Sequence, residues 1–355
     1  MRKRIVLLVM TTLCTLLFLT GCFQGEQSLP DMDPPPNAEA VDGQDNQSSE
    51  SDESENEDTD ETGQTVSRQL FLLDSNGLVA PQTLELPVPE TKEVASQVLE
   101  YMVKDGPVTA LLPNGFQAVL PAGTEILGLD IAEGTITVDL SEEFAEYGTE
   151  EEHQILEAMT FTLTQFDNID RVKLRINGED LKAMPVNGTP IANGYSRANG
   201  INIVQSDTVD YINSKAVTMY FPTEHDDNQY FVPVTQYVEV KDGDITQAIV
   251  QALIDGPTYE TNLMQVFNEQ TMLLDEPKLN SGVLELVFNQ EILKDMENGV
   301  IADEVMESLV RTLTEQETIE AVNVKVENVE QIANESGEVY SEPVTRESIN
   351  PSEKL

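Results

Sequence analysis

Few side chains in this chain have the chemistry of a catalyst. Its 355 residues include two histidines, His153 and His225, and two cysteines, Cys14 and Cys22. A structural zinc site wants four Cys or His ligands together, and a Cys–His nucleophile needs both types in one place. Both cysteines fall in the first 22 residues and the two histidines lie far apart in the chain, so neither is available. Asp139, Ser141 and His153 have the residue types of a hydrolytic triad, but no nucleophile elbow surrounds Ser141, and a serine before Glu142 and Glu143 reads as a helix cap. His153 reads as a solvated residue at a helix start. His225 reads as a loop residue in the polar turn Glu224–Asp227. Carboxylates are plentiful at Glu142, Glu143, Glu150, Glu151 and Glu152. A glycosidase needs two of them across a cleft with sugar subsites, usually aromatic, and the chain has no tryptophan. Acidic residues at helix starts have a sufficient cause in the helix dipole. No phosphate-binding glycine loop is present. The expectation is a protein with no catalytic residue, no metal and no cofactor.

Charge narrows the partners. There are 65 Asp and Glu against 19 Lys and Arg, a formal net charge of −46. Such an excess argues against nucleic acid, whose binding depends on cations that displace counterions, and against adhesion to anionic headgroups through a basic patch. It fits solubility, or a salty medium that screens self-repulsion.

One cysteine does have a chemical role in its setting. Arg2, Lys3 and Arg4 precede an apolar run from Ile5 to Leu19 that is short for a membrane span. The run ends in Leu19-Thr20-Gly21-Cys22, which resembles the lipobox of bacterial lipoproteins. The resemblance implies a signal peptide over 1–21, a diacylglyceryl group on the Cys22 thiol and a mature chain beginning there. Cys14 is then discarded, so no disulfide holds the fold. Two acyl chains on one residue suffice for stable membrane anchoring.

Residues 22–67 read as the lipidated cysteine and a tether. Residues 23–67 carry fourteen Asp and Glu, no Lys or Arg, Pro34-Pro35-Pro36 and scarcely any apolar residue. Such a segment cannot bury enough to offset its ordering entropy, and like charges extend it.

The elements that could position any site begin near Arg68. Leu70–Leu73 reads as a strand and Leu84–Val88 as a second, demoted to an edge by Pro87. Thr91 is a candidate cap for a helix to about Lys104, with Val94, Ala95, Val98, Leu99 and Met102 on one stripe. Asp105-Gly106-Pro107 then stops it, the glycine taking a left-handed conformation and the proline barring continuation. Glu125–Asp130 and Thr135–Leu140 read as a hairpin, with Ser141 as an N-cap beyond it. Glu150–Phe166 reads as a second helix with a single apolar stripe. Arg171–Ile176 is the closing strand, ended by the Asn177-Gly178 turn.

The pattern occurs twice. Ile254-Asp255-Gly256-Pro257 repeats the stop about 150 residues later, and Leu284, Leu286 and Phe288 repeat Ile136, Val138 and Leu140. Arg311–Thr314 repeats Phe161–Thr164, and Ala321–Val326 repeats Arg171–Ile176. The tail Ser196-Arg197-Ala198-Asn199-Gly200-Ile201-Asn202 recurs, one residue shorter, as Thr345–Asn350. The expected domains are 68–202 and a diverged copy at 216–350, joined by a connector at 203–215, with a tail at 351–355. The short connector predicts that the two pack together. Each unit reads strand, helix, hairpin, helix, strand. The fold class is therefore α+β, two tandem two-layer domains, each a small mixed sheet with two helices on one face.

Five motifs carry a family resemblance: Asp105-Gly106-Pro107, Leu120-Pro121-Ala122-Gly123-Thr124, Thr137-Val138-Asp139-Leu140-Ser141, Thr162-Leu163-Thr164-Gln165-Phe166 and Arg171–Gly178. In this order and spacing they resemble the GerMN domain of sporulation and germination lipoproteins, and with the lipobox, tether and duplication the resemblance covers nearly the full mature chain. It implies a fold similar to ring-building modules and a non-enzymatic role at the extracytoplasmic face of the membrane of a Gram-positive spore-former. Protein partners in the sporulation envelope complex are implied, with effects on engulfment and germination. A peptidoglycan-binding or weakly wall-hydrolytic lipoprotein is the alternative. The second copy departs from the pattern. Val287-Phe288-Asn289-Gln290 replaces Val-Asp-Leu-Ser, and Phe267–Thr271 replaces the Pro-x-Gly-Thr turn. Partner contacts are therefore expected first on the first copy, at residues the sequence leaves unknown.

Overall fold

Asp74 makes the first turn. Its Oδ1 accepts the backbone N–H groups of Asn76 at 2.9 Å and Leu78 at 2.8 Å, a local bond that favours a turn over continued strand. The turn joins β1 (Thr65–Leu73) to β2 (Val79–Pro87) in an antiparallel pair. The computed structural model describes residues 65–89, 94–204, 213–226, 228–240, 245–257 and 262–349. The signal segment, Cys22, the tether up to residue 64, Thr91, connector residues 205–212 and the residues beyond 349 lie outside these; residues 65–67, read as tether, belong to β1, and 214–215, read as connector, belong to the strand Ser214–His225.

The first half continues with α1 (Val94–Glu100), β3 (Ile126–Ala132), β4 (Thr135–Leu140), α2 (Glu152–Leu163), β5 (Arg171–Ile176) and β6 (Glu179–Asp180). β3 and β4 form the expected hairpin across Glu133 and Gly134. Both turn residues have positive φ, as a two-residue hairpin turn requires. β5 returns parallel to β4 after α2, giving a mixed sheet in the order β3-β4-β5-β6. Ile136, Val138 and Leu140 are buried on one face of β4 and their neighbours half-exposed on the other, the alternation read from the sequence.

The second half repeats this with β7 (Ser214–His225), β8 (Asn228–Glu239), α3 (Ile245–Asp255), β9 (Lys278–Asn280), β10 (Val283–Phe288), α4 (Asp303–Leu313), β13 (Ala321–Val326), β14 (Val344–Thr345) and α5 (Arg346–Ile349). A small pair, β11 (Leu293–Asp295) with β12 (Val300–Ile301), is added before α4. β13 runs parallel to β10, and the sheet order is β14-β13-β10-β9. The α+β tandem architecture expected from the sequence is present.

Three details differ from the sequence reading. The β1–β2 and β7–β8 hairpins stand as separate two-stranded sheets and do not join the mixed ones. α2 packs on β1 and β2 as well as on β5, so ten of its twelve residues are buried and the single-stripe expectation fails. The turn after α1 places Asp105, not Gly106, in the left-handed region, at φ +59. Gly106 has φ −87 and is needed for space, since a Cβ there would lie 2.9 Å from the Val103 carbonyl oxygen. In the second copy Gly256 does take the left-handed conformation, at φ +84.

The repeated threonines fix each second helix to its hairpin. Thr162 Oγ1 accepts the N–H of Phe71 at 3.0 Å, and Thr312 Oγ1 accepts the N–H of Tyr220 at 3.0 Å. Each bond satisfies a strand donor that would otherwise be buried without a partner, at a cost of about 1–3 kcal/mol.

Candidate binding surfaces and the joint between the halves

The residues singled out for chemistry are held in structural work or stand apart. Ser141 caps only a short 3-10 turn, and its side chain makes no cap hydrogen bond. Its Oγ accepts the N–H of Glu125 at 3.0 Å, which pins the approach to β3. Asp139 Oδ1 accepts the N–H of Gly178 at 2.9 Å. His153 is exposed on the first turn of α2. No hydrogen bond links the three.

Among the N-terminal carboxylates, Glu152 is fully buried and accepts from the N–H groups of Asn187 at 2.6 Å and Thr189 at 2.9 Å and from the Tyr147 hydroxyl at 2.9 Å. Burial pushes its pKa up, but these donors outweigh burial and hold it at about 2. Glu152 therefore organises the loop at 187–189, a role beyond the dipole effect expected from its position. Glu151 pairs with Lys104 and accepts from Gly148 N at 2.7 Å. Among the described residues, no group of three or more His, Cys, Asp or Glu side chains is placed to hold a metal.

The diverged motif of the second half does the same work with other atoms. Asn289, not Gln290 as the motif alignment implies, occupies the place of Ser141, since Phe288 pairs with Val326 as Leu140 pairs with Ile176. Its Oδ1 accepts the N–H of Met272 at 3.0 Å, and its Nδ2 donates to the Gln270 carbonyl at 2.9 Å. The substitution keeps the joint between loop and strand, so these motif residues serve the fold.

Most of the polar side chains that the sequence reading missed lie where the halves meet. Asn202, at φ +46, donates from Nδ2 to the carbonyls of Val79 at 2.7 Å and Pro233 at 2.8 Å. Its Oδ1 accepts the N–H of Val79 at 2.9 Å, and its own N–H donates to Glu157 Oε2 at 3.1 Å. One side chain thus bridges β2 of the first half and β8 of the second. Burial lifts the Glu157 carboxyl to about 7, against the opposing bond from Asn202.

Nearby, the Thr235 N–H donates to the Ile201 carbonyl at 2.9 Å and the Ile201 N–H donates to Thr235 Oγ1 at 2.9 Å, and the Tyr230 hydroxyl donates to Asp74 at 2.9 Å while its ring meets Phe116 edge-on at 4.7 Å. His225 ends β7. Its Nδ1 lies 3.1 Å from Ser75 Oγ, and its ring packs over Gly115, so it is part of the joint and not a free loop residue.

A charged cluster closes the other end. Arg197 and Arg346, the recurring arginines of the two tails, both reach Glu315. Arg346 also donates to the Tyr220 hydroxyl at 2.8 Å, and Tyr220 donates to Glu315 at 2.7 Å. Burial would raise the Glu315 carboxyl, but the two guanidinium groups and the hydroxyl hold it at about 2. A cleft of about 350 Å³ lies between the halves, lined by Gln69 and Gln82 on one side and by Asp303, Glu304, Glu307 and Arg311 on the other. Arg311 pairs with Glu307 at 2.6 Å and stacks over Phe231 at 5.3 Å. One wall of the cleft is thus acidic and the other is lined by neutral amides.

The fold and the joint define a duplicated α+β protein whose conspicuous polar side chains mostly hold its own elements together. The family model described as Germane, for sporulation and spore germination, matches residues 69–182 and 218–332, and the chain belongs to this family. It is 41% identical over 351 residues to the spore germination protein GerM of Bacillus subtilis (strain 168), with 95% of each chain covered. The solved structure of the tandem GerMN domains of the sporulation protein GerM from Bacillus subtilis matches with a TM-score of 0.74 at 44% identity. That match covers 80% of this chain and 99% of the other.

Proposed function

We propose that this chain is a lipid-anchored, non-enzymatic assembly protein of endospore formation. Cys22 would carry the anchor, the acidic tether would hold the folded part off the membrane, and the tandem domains would meet protein partners of the mother cell–forespore transenvelope complex. The observation that carries this reading is the likeness to a sporulation protein across both domains. The commitment of Ser141, Asp139 and Glu152 to backbone donors supports a contact role over a catalytic one.

The test is deletion in a spore-forming host with complementation by the wild-type chain and by Cys22→Ala. Deletion should block sporulation at or after engulfment and displace envelope partners. Cys22→Ala should fail to incorporate labelled palmitate and should complement poorly. Normal sporulation of the deletion strain would count against the proposal. The surplus of carboxylates keeps a wall-active reading in play. Muropeptide release by the purified chain, lost on changing one carboxylate, would favour it.

A further inference from the structure

The two mixed sheets end differently on their β3 and β9 sides. In the first half the edge is β3, seven residues with one charge, Asp130, and a register irregularity confined to Ile126–Gly128. In the second half β9 has three residues, starts at Lys278 and is preceded by Asp275-Glu276-Pro277. A proline, a lysine and a short strand are the usual means of keeping another strand from adding to an edge. The first half has none of them.

β3 also presents what a partner strand would bind. Ala132 faces Thr135 across the two-residue turn, so antiparallel alternation turns the N–H and C=O groups of Leu129 and Ile131 away from β4. Leu129 and Ile131 lie opposite Val138 and Ile136 and so share the apolar face of the sheet. Yet Ile131 is 47% exposed while Ile136 is fully buried, and Leu127 is 48% exposed. α1 packs against β3 but leaves Leu127 and Ile131 exposed.

Charge selects the occupant. Unpaired, exposed carboxylates flank the strand at both ends. Glu125 borders a groove of about 510 Å³ that Glu100 and Asp105 also line, with Lys104 beside them already paired to Glu151, and Glu133 stands at the turn. A second copy paired antiparallel about Leu129 would set Glu125 against Glu133 at each end, which like charges oppose.

We propose that the free edge of β3 is a docking site for an extended strand of another protein, apolar at alternate positions and basic at its ends, which adds to the sheet. This rests on the assembly reading and names a contact surface for it.

The test uses the full chain in detergent. The probe is a fluorescent synthetic peptide of alternating valine and threonine with paired lysines at both ends, beside a glutamate-ended counterpart. The lysine-ended probe should bind and slow amide exchange at Leu129 and Ile131. The glutamate-ended probe, or Ile131→Lys in the protein, should weaken binding about tenfold or more, and Met272→Lys on the second half should leave it unchanged. Equal binding of both probes, no protection in β3, indifference to Ile131→Lys, or protection of β3 by dimerisation without probe would each overturn the proposal. In cells the two ideas separate. A deletion strain that fails to sporulate while Ile131→Lys sporulates normally removes this surface and leaves the assembly reading. Normal sporulation of the deletion strain removes that reading itself.

Discussion

Arg197 of the first half is held by both carboxylate oxygens of Glu315 in the second, each at 3.1 Å. Its counterpart Arg346 meets the same carboxylate at 2.7 Å. In the first half the position of Glu315 is taken by the neutral Gln165, whose Nε2 donates to Gln69 and Thr162 carbonyls. Two equivalent arginines thus share one anion, and the duplication has become an interdomain tie.

Removing that anion leaves two guanidinium groups without their carboxylate. Glu315→Ala should destabilise the protein by about 3 kcal/mol, and Arg197→Ala by less, because Arg346 still pairs. Urea unfolding of both variants measures the difference. An equal and small effect would show that the cluster is solvated and weak.

The Glu315 and Glu157 carboxyls predict opposite pH dependences. Glu315 is depressed to about 2, so its stabilisation is present above its unfolded value near 4.5 and is lost as pH falls toward 2. Glu157 is raised to about 7, so the folded state binds its proton more tightly. Stability from that proton is full below pH 4.5 and disappears as pH rises through 7. Glu157→Gln should therefore stabilise the protein by about 2 kcal/mol at pH 8 and by little at pH 4. A gain independent of pH would assign the effect to packing.

Asn202 couples the halves through bonds that alanine cannot make. Asn202→Ala should cost about 2–3 kcal/mol, and the asparagine's left-handed backbone adds strain for alanine. Asn202→Gly removes the strain and keeps the loss of bonds, so it should recover part of the difference. Thermal unfolding followed separately in each half should show the transitions drawing apart in both variants.

Gly115 has φ +83, and a Cβ there would lie 2.4 Å from the His225 ring. Gly115→Ala should cost about 2 kcal/mol, and in a His225→Ala background the same change should cost only the backbone strain of about 1 kcal/mol. Additive costs in this double-mutant cycle would place the ring elsewhere in solution.

What the sequence disclosed follows from periodicity. β4 and β10 bury every second residue, so their strands and faces were legible, as was the duplication through the stop signals and the Thr-Leu-Thr motif. The joint was not legible. Asn202, Glu157 and Glu315 are polar, follow no period, and meet partners far away in the chain. The recurrence of Arg197 and Arg346 was visible, but not the carboxylate they share. His225 looked like a loop residue because the hairpin that carries it is long enough to touch the other half. The divergence at Asn289 suggested a changed surface, whereas a side-chain amide simply replaces a hydroxyl at the same backbone bond.

Asn202, Glu315 and the β2–β8 contact join the two halves, which should therefore tumble as one body. Backbone ¹⁵N relaxation of the folded region tests it most directly. Residues of α2 and α4 should report one rotational correlation time, that of the whole folded region. Two shorter and distinct times, one for each half, would contradict it.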